Sequence, residues 1–287
     1  MSKARDIKRR IRSVKNTMQL TKAMKMVSAA KLRRAQDRML AARPYAQQME
    51  KVLQSLASRA TPEDHPLLKR AEGERVELIV VSGDRGLCGA FNTNILRQAS
   101  NFAAEQNQNE LTISCVGRKG HEHFKRRGFN IRGEWLNVMR NVDFALAAEI
   151  SQDMMKRFLD GDVDKIYVAY NEFKSASTQN PVVQQLLPIA SDDLAGEEDG
   201  PSEEYIYEPN PAALFKTLLP KHVQILIFRA LLESVAAEHA ARMTAMDAAT
   251  NNAGELIESL TLTMNRARQA AITTEIIEVV SGAQALG

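Results

Sequence analysis

The residues of this chain that could do chemistry follow an apolar run, Val76–Ser82, which predicts a buried strand. The next turn carries Gly86-Leu-Cys-Gly89, and a helical segment comes after it. A strand, a glycine turn and a helix can together bind a nucleotide phosphate at the helix N-terminus. The spacing is only GxxG, with neither GxGxxG nor a GK[ST] loop. The glycines therefore favour a tight turn without a bound nucleotide.

Three further groups could act chemically, and each has a simpler interpretation. Asp84 and Arg85 could form a functional pair, but we favour a turn-capping ion pair. Cys88 has no histidine nearby in the sequence, so a buried small residue is the better interpretation. His121 and His123 could bind a metal, but no Cys/His cluster completes a tetrahedral set, which favours a solvated surface pair. We therefore predict no catalytic residue, no cofactor and no metal site.

The elements that surround these residues alternate between strands and helices, which is typical of an α/β layer. The predicted strands are Val76–Ser82, Leu111–Gly117, Lys165–Asn171 and Val182–Leu187. The predicted helices run from about Ala90 to Glu105, from Gly120 to Arg127 and from Phe144 to Leu159. The acidic stretch Ser191–Glu204 predicts a surface loop.

Both ends of the chain predict long helices. The first 43 residues contain neither Gly nor Pro, and Lys221–Ser281 contains no Pro and only one Gly, Gly254. At about 1.5 Å per residue, the second segment would span roughly 90 Å. Pro44 should kink the first helix or mark a local change.

Each end also carries a seam of residues spaced three and four apart. In the N-terminal helix the seam is Ile7, Ile11, Val14, Met18, Thr21, Lys25, Ser28, Leu32, Ala35, Met39 and Ala42, and it resumes with Met49, Leu53 and Leu56. In the C-terminal helix it is Ile225, Phe228, Leu232, Val235, His239, Met243, Met246, Ala249, Ala253, Leu256, Leu260, Met264, Ala267 and Ala271. Such spacing predicts a coiled coil. We expect an antiparallel pair with the α/β domain inserted between its helices.

Charge is distributed unevenly along the chain. Residues 1–43 hold 14 basic and two acidic side chains, a net charge of +12, whereas the whole chain carries +3. This arm would suit an acidic partner: nucleic acid, anionic lipid or an acidic protein loop. The arm lacks aromatic residues, which nucleic-acid binders often use, and it could simply be the solvated face of a coiled coil.

The remaining composition narrows the class of protein. We find no apolar run long enough to span a membrane and no secretory signal. An organellar transit peptide would also be Arg-rich and amphipathic, but removing one here would leave the C-terminal helix without its partner. The two cysteines, Cys88 and Cys115, predict no disulfide framework and a reducing cytosol.

Several separated motifs match one family over essentially the whole chain. They are Ile7–Lys31, Asp84–Asn92, Tyr205–Pro209 and, most specifically, Ile272–Ala285. With them, the chain resembles the γ subunit of the bacterial F-type ATP synthase. Gly83 and Ala90 depart slightly from the family's usual turn.

The resemblance implies a central rotor stalk without an active site of its own. The two terminal helices would pair inside a ring of three α and three β subunits, where the β subunits carry out catalysis. The α/β domain would lie beside the ε subunit and on the membrane c ring. The domains would be residues 1–60, 61–204 and 205–287. The resemblance also implies a peripheral protein on the cytoplasmic face of the bacterial inner membrane, with no nucleic-acid partner.

The resemblance also assigns roles to particular residues. Met24 and Lys25 would face an acidic loop of β, and Arg268, Gln269 and Thr273 would contact a loop of β as catch residues. Tyr205, Tyr207 and Glu208 would meet ε and the c ring. The tip Ile276, Ile277, Val279 and Val280 would turn in an apolar bearing. Without the family match, exposed helix faces, a core methionine and a loop tip packed on its own domain would explain these residues.

The two cysteines do not look like the redox-sensitive pair of the family's plastid members, so we expect no thiol regulation. Two other classes of protein remain as alternatives. One is a coiled-coil protein that binds nucleic acid through its basic arm, and the other is a nucleotide-binding enzyme that uses the α/β domain.

Overall fold

The computed structural model describes residues 2–57, 65–69, 73–106, 110–189 and 211–285. Its helices are α1 (Ser2–Ala57), α2 (Phe91–Glu105), α3 (Arg118–Arg126), α4 (Phe144–Leu159) and α5 (Pro211–Ala285). Its strands are β1 (Val76–Val81), β2 (Leu111–Val116), β3 (Ile131–Trp135), β4 (Lys165–Phe173) and β5 (Gln179–Leu187). The predicted loop Ser191–Glu204 lies outside the described residues.

The five strands form one sheet in the order β3-β2-β1-β4-β5. The first four strands are parallel, and β5 runs antiparallel to β4. Every residue of β1 is buried, as expected for a central parallel strand covered on both faces. The strand β3 was not predicted from the sequence, because Ile131-Arg-Gly-Glu-Trp lies at an edge, where a strand needs no continuous apolar run.

Helices cover both faces of this sheet. Alternate β1 residues Leu78 and Val80 pack with α2 and α3, in a core that includes Ile95 and Phe124. Ile79 and Val81 pack on the opposite face, in a core built from α4, α5 and the end of α1. The inserted domain is therefore a doubly wound α/β fold, and the predicted fold class is confirmed.

The chain divides into two compact units. One consists of Met1–Ala29 and Arg242–Gly287, and we call it the helical unit. The other, Ala30–Ala241, contains the sheet, and we call it the α/β unit. The three domain boundaries proposed from the sequence remain predictions.

Two prolines lie inside the long helices. Pro44 and its neighbours Arg43 and Tyr45 are exposed, so water can reach the carbonyl that the missing N–H leaves free, and α1 continues to Ala57. The C-terminal helix begins at Pro211, passes through Pro220 and ends at Ala285, so it extends beyond the proline-free stretch Lys221–Ser281 at both ends.

A buried histidine explains why the helix tolerates Pro220. Proline removes the N–H that would bond to the Lys216 carbonyl four residues earlier. His65 bonds to that carbonyl instead. Its Nδ1 accepts a hydrogen bond from Leu67 N at 3.2 Å, so the other ring nitrogen is the donor. Burial lowers the pKa of His65, and a neutral ring is the form that supplies one acceptor and one donor.

Candidate functional site

The helical unit contains a polar layer that shows the direction of its two helices. The hydroxyls of Thr21 and Thr250 lie 2.8 Å apart, and Lys25 Nζ donates to Asp247 Oδ1 at 2.5 Å. The partner number falls from 250 to 247 as the α1 number rises from 21 to 25. The pair is therefore antiparallel, as the sequence predicted.

The predicted seams are the covered faces of both helices. Every seam residue of α1 from Ile7 to Ala42 is buried or half-buried. The same holds for the α5 seam from Ile225 to Ala271, except Leu256, which is 40% exposed. A three-four spacing keeps such residues on one stripe of the helix, so periodicity alone identified the packed face.

The two α1 residues with an expected role at β differ in their surroundings. Met24 is half-buried. The Lys25 side chain is 42% exposed and already forms an ion pair with Asp247, which the sequence analysis did not foresee. An ammonium has three donors, so two remain for an external carboxylate.

Apolar side chains of α1 also face outward from the helical unit. Leu20, Met26 and Val27 are each more than half exposed. A set of large exposed apolar residues on one short stretch of helix indicates a surface that contacts another protein. These residues lie off the seam, so its periodicity does not single them out.

The three predicted catch residues lie together on α5. Arg268, Gln269 and Thr273 are all exposed. The Thr273 hydroxyl donates to the Gln269 carbonyl at 3.0 Å, one turn earlier in the helix. The Arg268 guanidinium and the Gln269 amide lie on the outer surface of the helix.

The last turns of α5 present the predicted bearing residues to the outside. Ile276, Ile277, Val279 and Val280 are between 50% and 73% exposed. Burying apolar surface gains roughly 25 cal/mol per Å², so covering these four side chains with a partner would release free energy that the isolated protein does not gain. The predicted foot residues Tyr205, Tyr207 and Glu208 lie outside the described residues.

In the α/β unit, Asp84 organises the loops at the carboxyl ends of three strands. Its Oδ1 accepts the backbone N–H groups of Arg118 and Asn137 at 3.0 and 2.9 Å, and its Oδ2 accepts that of Met139 at 3.1 Å. Both oxygens thus bond to backbone donors from the segments after β2 and β3. The predicted ion pair with Arg85 is wrong, and the cap joins three loops rather than one turn.

The end of β1 packs closely against the segment that follows β2. Ser82 Oγ accepts the Gly120 N–H at 2.8 Å, at the start of α3. Gly117 has a φ of +96°, and a Cβ there would lie 2.0 Å from the Ser82 carbonyl oxygen, so only glycine fits. Cys88 is buried, as the sequence predicted, and accepts a hydrogen bond from Asn92 Nδ2 at 3.2 Å.

The two histidines of α3 have separate partners. His121 Nε2 lies 3.0 Å from Glu134 Oε2. His123 Nε2 lies 3.1 Å from Ser100 Oγ, and burial, followed by Arg127 and Arg126, lowers the pKa of His123. Among the described residues, no group of three His, Cys, Asp or Glu side chains could hold a metal ion.

Two ion pairs stabilise the sheet. Glu77, fully buried on β1, bonds to Arg157 of α4 and to Ser114 of β2. Burial raises the pKa of Glu77, because it disfavours the charged form. Asp164 accepts Nε and NH2 of Arg75 at 2.9 and 2.8 Å, and these hydrogen bonds lower the pKa of Asp164. Among the described residues, both bonds of Glu77 go to Oε1, and its buried Oε2 has no hydrogen-bond partner.

These features define a class of protein. It has an antiparallel helical shaft with exposed apolar tip residues and, in the same chain, a doubly wound domain. In that domain Asp84 and Ser82 bond to the loops at the carboxyl ends of the strands. The comparisons with known proteins identify the family. A family model described as ATP synthase matches residues 3–286. An ATP synthase gamma chain of Geotalea uraniireducens is 49% identical over 288 residues, covering 100% of this chain and 99% of that protein. One from an Anaeromyxobacter species is 50% identical over 291 residues, covering 100% of both chains.

Solved structures agree with these sequence matches. A chain of the Tetrahymena thermophila mitochondrial ATP synthase central stalk and c ring has a TM-score of 0.62 and 27% identity, covering 80% of this chain and 99% of that one. A chain from the Euglena gracilis mitochondrial ATP synthase has a TM-score of 0.70 at 22% identity, covering 99% of this chain and 95% of that one, and supports the fold.

This chain belongs to the ATP synthase gamma-chain family. The family supplies the non-catalytic central stalk of ATP synthase, in which the β subunits carry out catalysis. The family resemblance and the stalk assignment made from the sequence are confirmed. Among the described residues, no helix is both long enough and apolar enough to cross a membrane.

Proposed function

We propose that this chain is the rotor shaft of a bacterial F-type ATP synthase, coupling ion-driven rotation of the c ring to conformational change in the β subunits. Its partners would be the α3β3 ring, the ε subunit and the c ring. It would act at the cytoplasmic face of the inner membrane, as a peripheral part of a membrane-associated complex. The family membership supports the stalk role, and the residue roles below are our proposal.

The observation that carries the mechanism is the exposed apolar tip of α5. A surface helix normally hides large aliphatic side chains, yet Ile276, Ile277, Val279 and Val280 are at least half exposed. Inside an apolar sleeve this surface would leave water without forming directional bonds. Such contacts resist rotation less than hydrogen bonds or ion pairs, because dispersion forces depend little on orientation. The tip would therefore act as a bearing.

Polar residues that precede the bearing on α5 would contact the β subunits at defined angles of rotation. Arg268 and Gln269 are exposed, and a guanidinium can bind a carboxylate or backbone carbonyls with several donors at once. Thr273, whose hydroxyl bonds to the Gln269 carbonyl, would complete this catch. Such contacts form and break as the shaft turns, which suits a part that must alternate between neighbouring β subunits.

On α1, Met24 and Lys25 would meet an acidic loop of β, supported by the net charge of +12 on residues 1–43. Charge complementarity of this kind favours orientation and rapid engagement. The exposed side chains of Leu20, Met26 and Val27 would extend that contact with apolar area. Tyr205, Tyr207 and Glu208 would form the foot at ε and the c ring.

The test of the catch is a matched pair of substitutions. We expect Gln269→Ala to lower ATP hydrolysis and synthesis of the assembled complex, while the isolated chain unfolds at the same temperature as the wild type. Gln152→Ala is the control, because Gln152 is also exposed on a helix but lies in the α/β unit. Equal coupled activity in the two variants would contradict the catch assignment.

The test of the shaft role is reconstitution. The chain is expressed with α and β subunits, and the ATP hydrolysis of the purified assembly is measured. We expect one copy of this chain per three αβ pairs, with activity that depends on its presence. A chain that stays alone, or that retains nucleic acid through a high-salt wash, would contradict the proposal.

A further inference from the structure

The sheet of the α/β unit contains the crevice in which doubly wound proteins bind their ligands. From β1 the chain moves outward through β2 to β3, and then crosses to the other side of β1 to form β4. The strand order therefore reverses between β1 and β4. In open α/β sheets, ligands bind at this reversal, outside the carboxyl ends of the strands.

In this protein, polar residues of α5 reach that crevice. Ser234 Oγ accepts the backbone N–H of Asn171, near the carboxyl end of β4, at 3.3 Å. On the β1 side, a Cβ added to Gly83 would lie 3.3 Å from the Glu238 carboxylate, so this side chain packs directly against the turn. Ser234 is fully buried, and Glu238 is 7% exposed.

Apolar side chains of the same part of α5 also pack against this crevice. Ala237 and Ala241 form one buried cluster with Cys88 and Phe91, at the glycine turn and the start of α2, and Phe173 at the end of β4 packs against it. Ala237 is fully buried, so this side of α5 approaches the turn closely. In nucleotide-binding relatives of this architecture, phosphate lies at the N-terminus of the first helix. Here the helix α5 is packed against that position.

We infer that the reversal crevice is a socket for the chain's own shaft helix and, resting on the proposed rotor function, that Ser234, Ala237 and Glu238 are positioning residues for rotary coupling. The socket fixes one rotation and one register of α5 against the α/β unit. A shift of one residue would turn the helix by about 100° and remove the Ser234 hydroxyl from Asn171. Torque applied to the α/β unit therefore reaches α5 without slip, and the same packing excludes a nucleotide.

The first experiment overfills the socket. Ala237→Leu adds three carbons where none fit, whereas Ala104→Leu adds them on an exposed face of α2. Complexes assembled with each variant are studied in inverted membrane vesicles, and ATP-driven uptake of the transported ion, H⁺ or Na⁺, is divided by ATP hydrolysis. We expect this ratio to fall at least about threefold for Ala237→Leu and to stay at the wild-type value for the control. An unchanged ratio in assembled Ala237→Leu complexes would overturn the inference, because a purely structural role would reduce yield alone.

Ser234→Ala provides a gentler variant if Ala237→Leu fails to assemble. It removes one acceptor and adds no volume, so a lower ratio of ion uptake to hydrolysis is again expected, with a smaller change. A wild-type ratio in this variant would count against the socket.

A second experiment asks whether α5 moves within the socket during turnover. Ala237→Cys places a thiol next to Cys88, and a short bifunctional methanethiosulfonate reagent joins the pair, with peptide mapping to confirm the link. We expect linked complexes to keep their coupling ratio, because the helix and the α/β unit move together. Loss of coupling that a reductant reverses would show that they must move apart. That result would overturn the inference.

Nucleotide binding gives an independent check on the isolated chain. Because α5 fills the crevice, ATP or ADP should leave the unfolding temperature unchanged. A nucleotide-dependent rise that Ala237→Leu abolishes would show an open site and overturn the socket.

Discussion

Replacing Asp84, in the turn after β1, by alanine should destabilise the α/β unit. The carboxylate accepts three backbone N–H groups, from Arg118, Asn137 and Met139. Alanine leaves all three donors without this acceptor. Asp84 is 9% exposed, so water replaces the carboxylate only in part.

The magnitude follows from the bonds that are lost. A buried donor left without its partner costs about 1–3 kcal/mol, with the higher values for bonds to a charged group. The three donors lie in loops that can relax toward water, so we take about 1 kcal/mol for each and expect a total of about 3 kcal/mol. Asp84→Asn keeps one acceptor oxygen and turns an amide donor toward an N–H group, so we expect about 1–2 kcal/mol.

Urea unfolding followed by tryptophan fluorescence measures this loss of stability with a probe that lies close to the Asp84 contacts. Trp135 is the only tryptophan, and it ends β3, two residues before Asn137. With a urea dependence of about 2 kcal/mol per molar, a loss of about 3 kcal/mol lowers the midpoint by about 1.5 M. Arg85→Ala is the control, because Arg85 is the exposed neighbour of Asp84 and should change stability by less than about 0.5 kcal/mol.

Two results would refute the reasoning. If Asp84→Ala and Arg85→Ala lower the midpoint equally, the carboxylate does not hold the three loops together. If amide exchange at Arg118, Asn137 and Met139 is no faster in Asp84→Ala, the destabilisation has another origin.

Three further predictions concern other parts of the molecule. Gly73→Ala should cost about 2 kcal/mol in urea unfolding, because its Cβ would lie 2.1 Å from an Asp164 oxygen and displace that carboxylate from its bonds. Burial lowers the pKa of His222 from 6.5 to about 4, so the folded state binds fewer protons than the unfolded state between these values. The resulting stability is complete above pH 6.5 and is lost as the pH falls toward 4, and wild type should lose about 2 kcal/mol more than His222→Gln between pH 7 and pH 5. A double-mutant cycle on Lys25 and Asp247, followed by thermal circular dichroism, should give a coupling of about 0.2–1 kcal/mol that weakens with salt, because both side chains are over 40% exposed.

Each of these has a contrary outcome. Gly86→Ala is the control for Gly73, because a Cβ at Gly86 meets nothing within 4 Å, and equal effects would show that the Asp164 contact is unimportant. Parallel pH curves for wild type and His222→Gln would mean that His222 titrates normally in the folded state. A coupling near zero at low salt would mean that Lys25 and Asp247 are independent in solution.

Periodic features of this protein could be predicted from its sequence. The seam from Ile7 to Ala42 identified the packed face of α1, because a three-four spacing places residues on one side of a helix whatever lies opposite. Buried strands such as β1 could be predicted from their apolar runs. The edge strand β3 could not, because exposure on one side permits arginine and glutamate among its residues.

The family motifs identified the shaft. They also assign the residues that we propose to contact β, and of these Arg268, Gln269 and Thr273 lie on an exposed helix face. Their positions along the chain suffice to place them on that face. The seam also indicated that the two terminal helices pair, because each carries an apolar stripe that water disfavours.

Tertiary structure decided the contacts that join distant segments. The sequence suggested Arg85 as the partner of Asp84, yet the carboxylate bonds to backbone groups of residues 118, 137 and 139. Lys25 pairs with Asp247 across 222 positions, and His65 replaces the donor that Pro220 lacks. Local periodicity reflects the geometry of one helix or strand. Which polar group meets which depends on the loops that bring separate elements together, and no spacing within a single element encodes that.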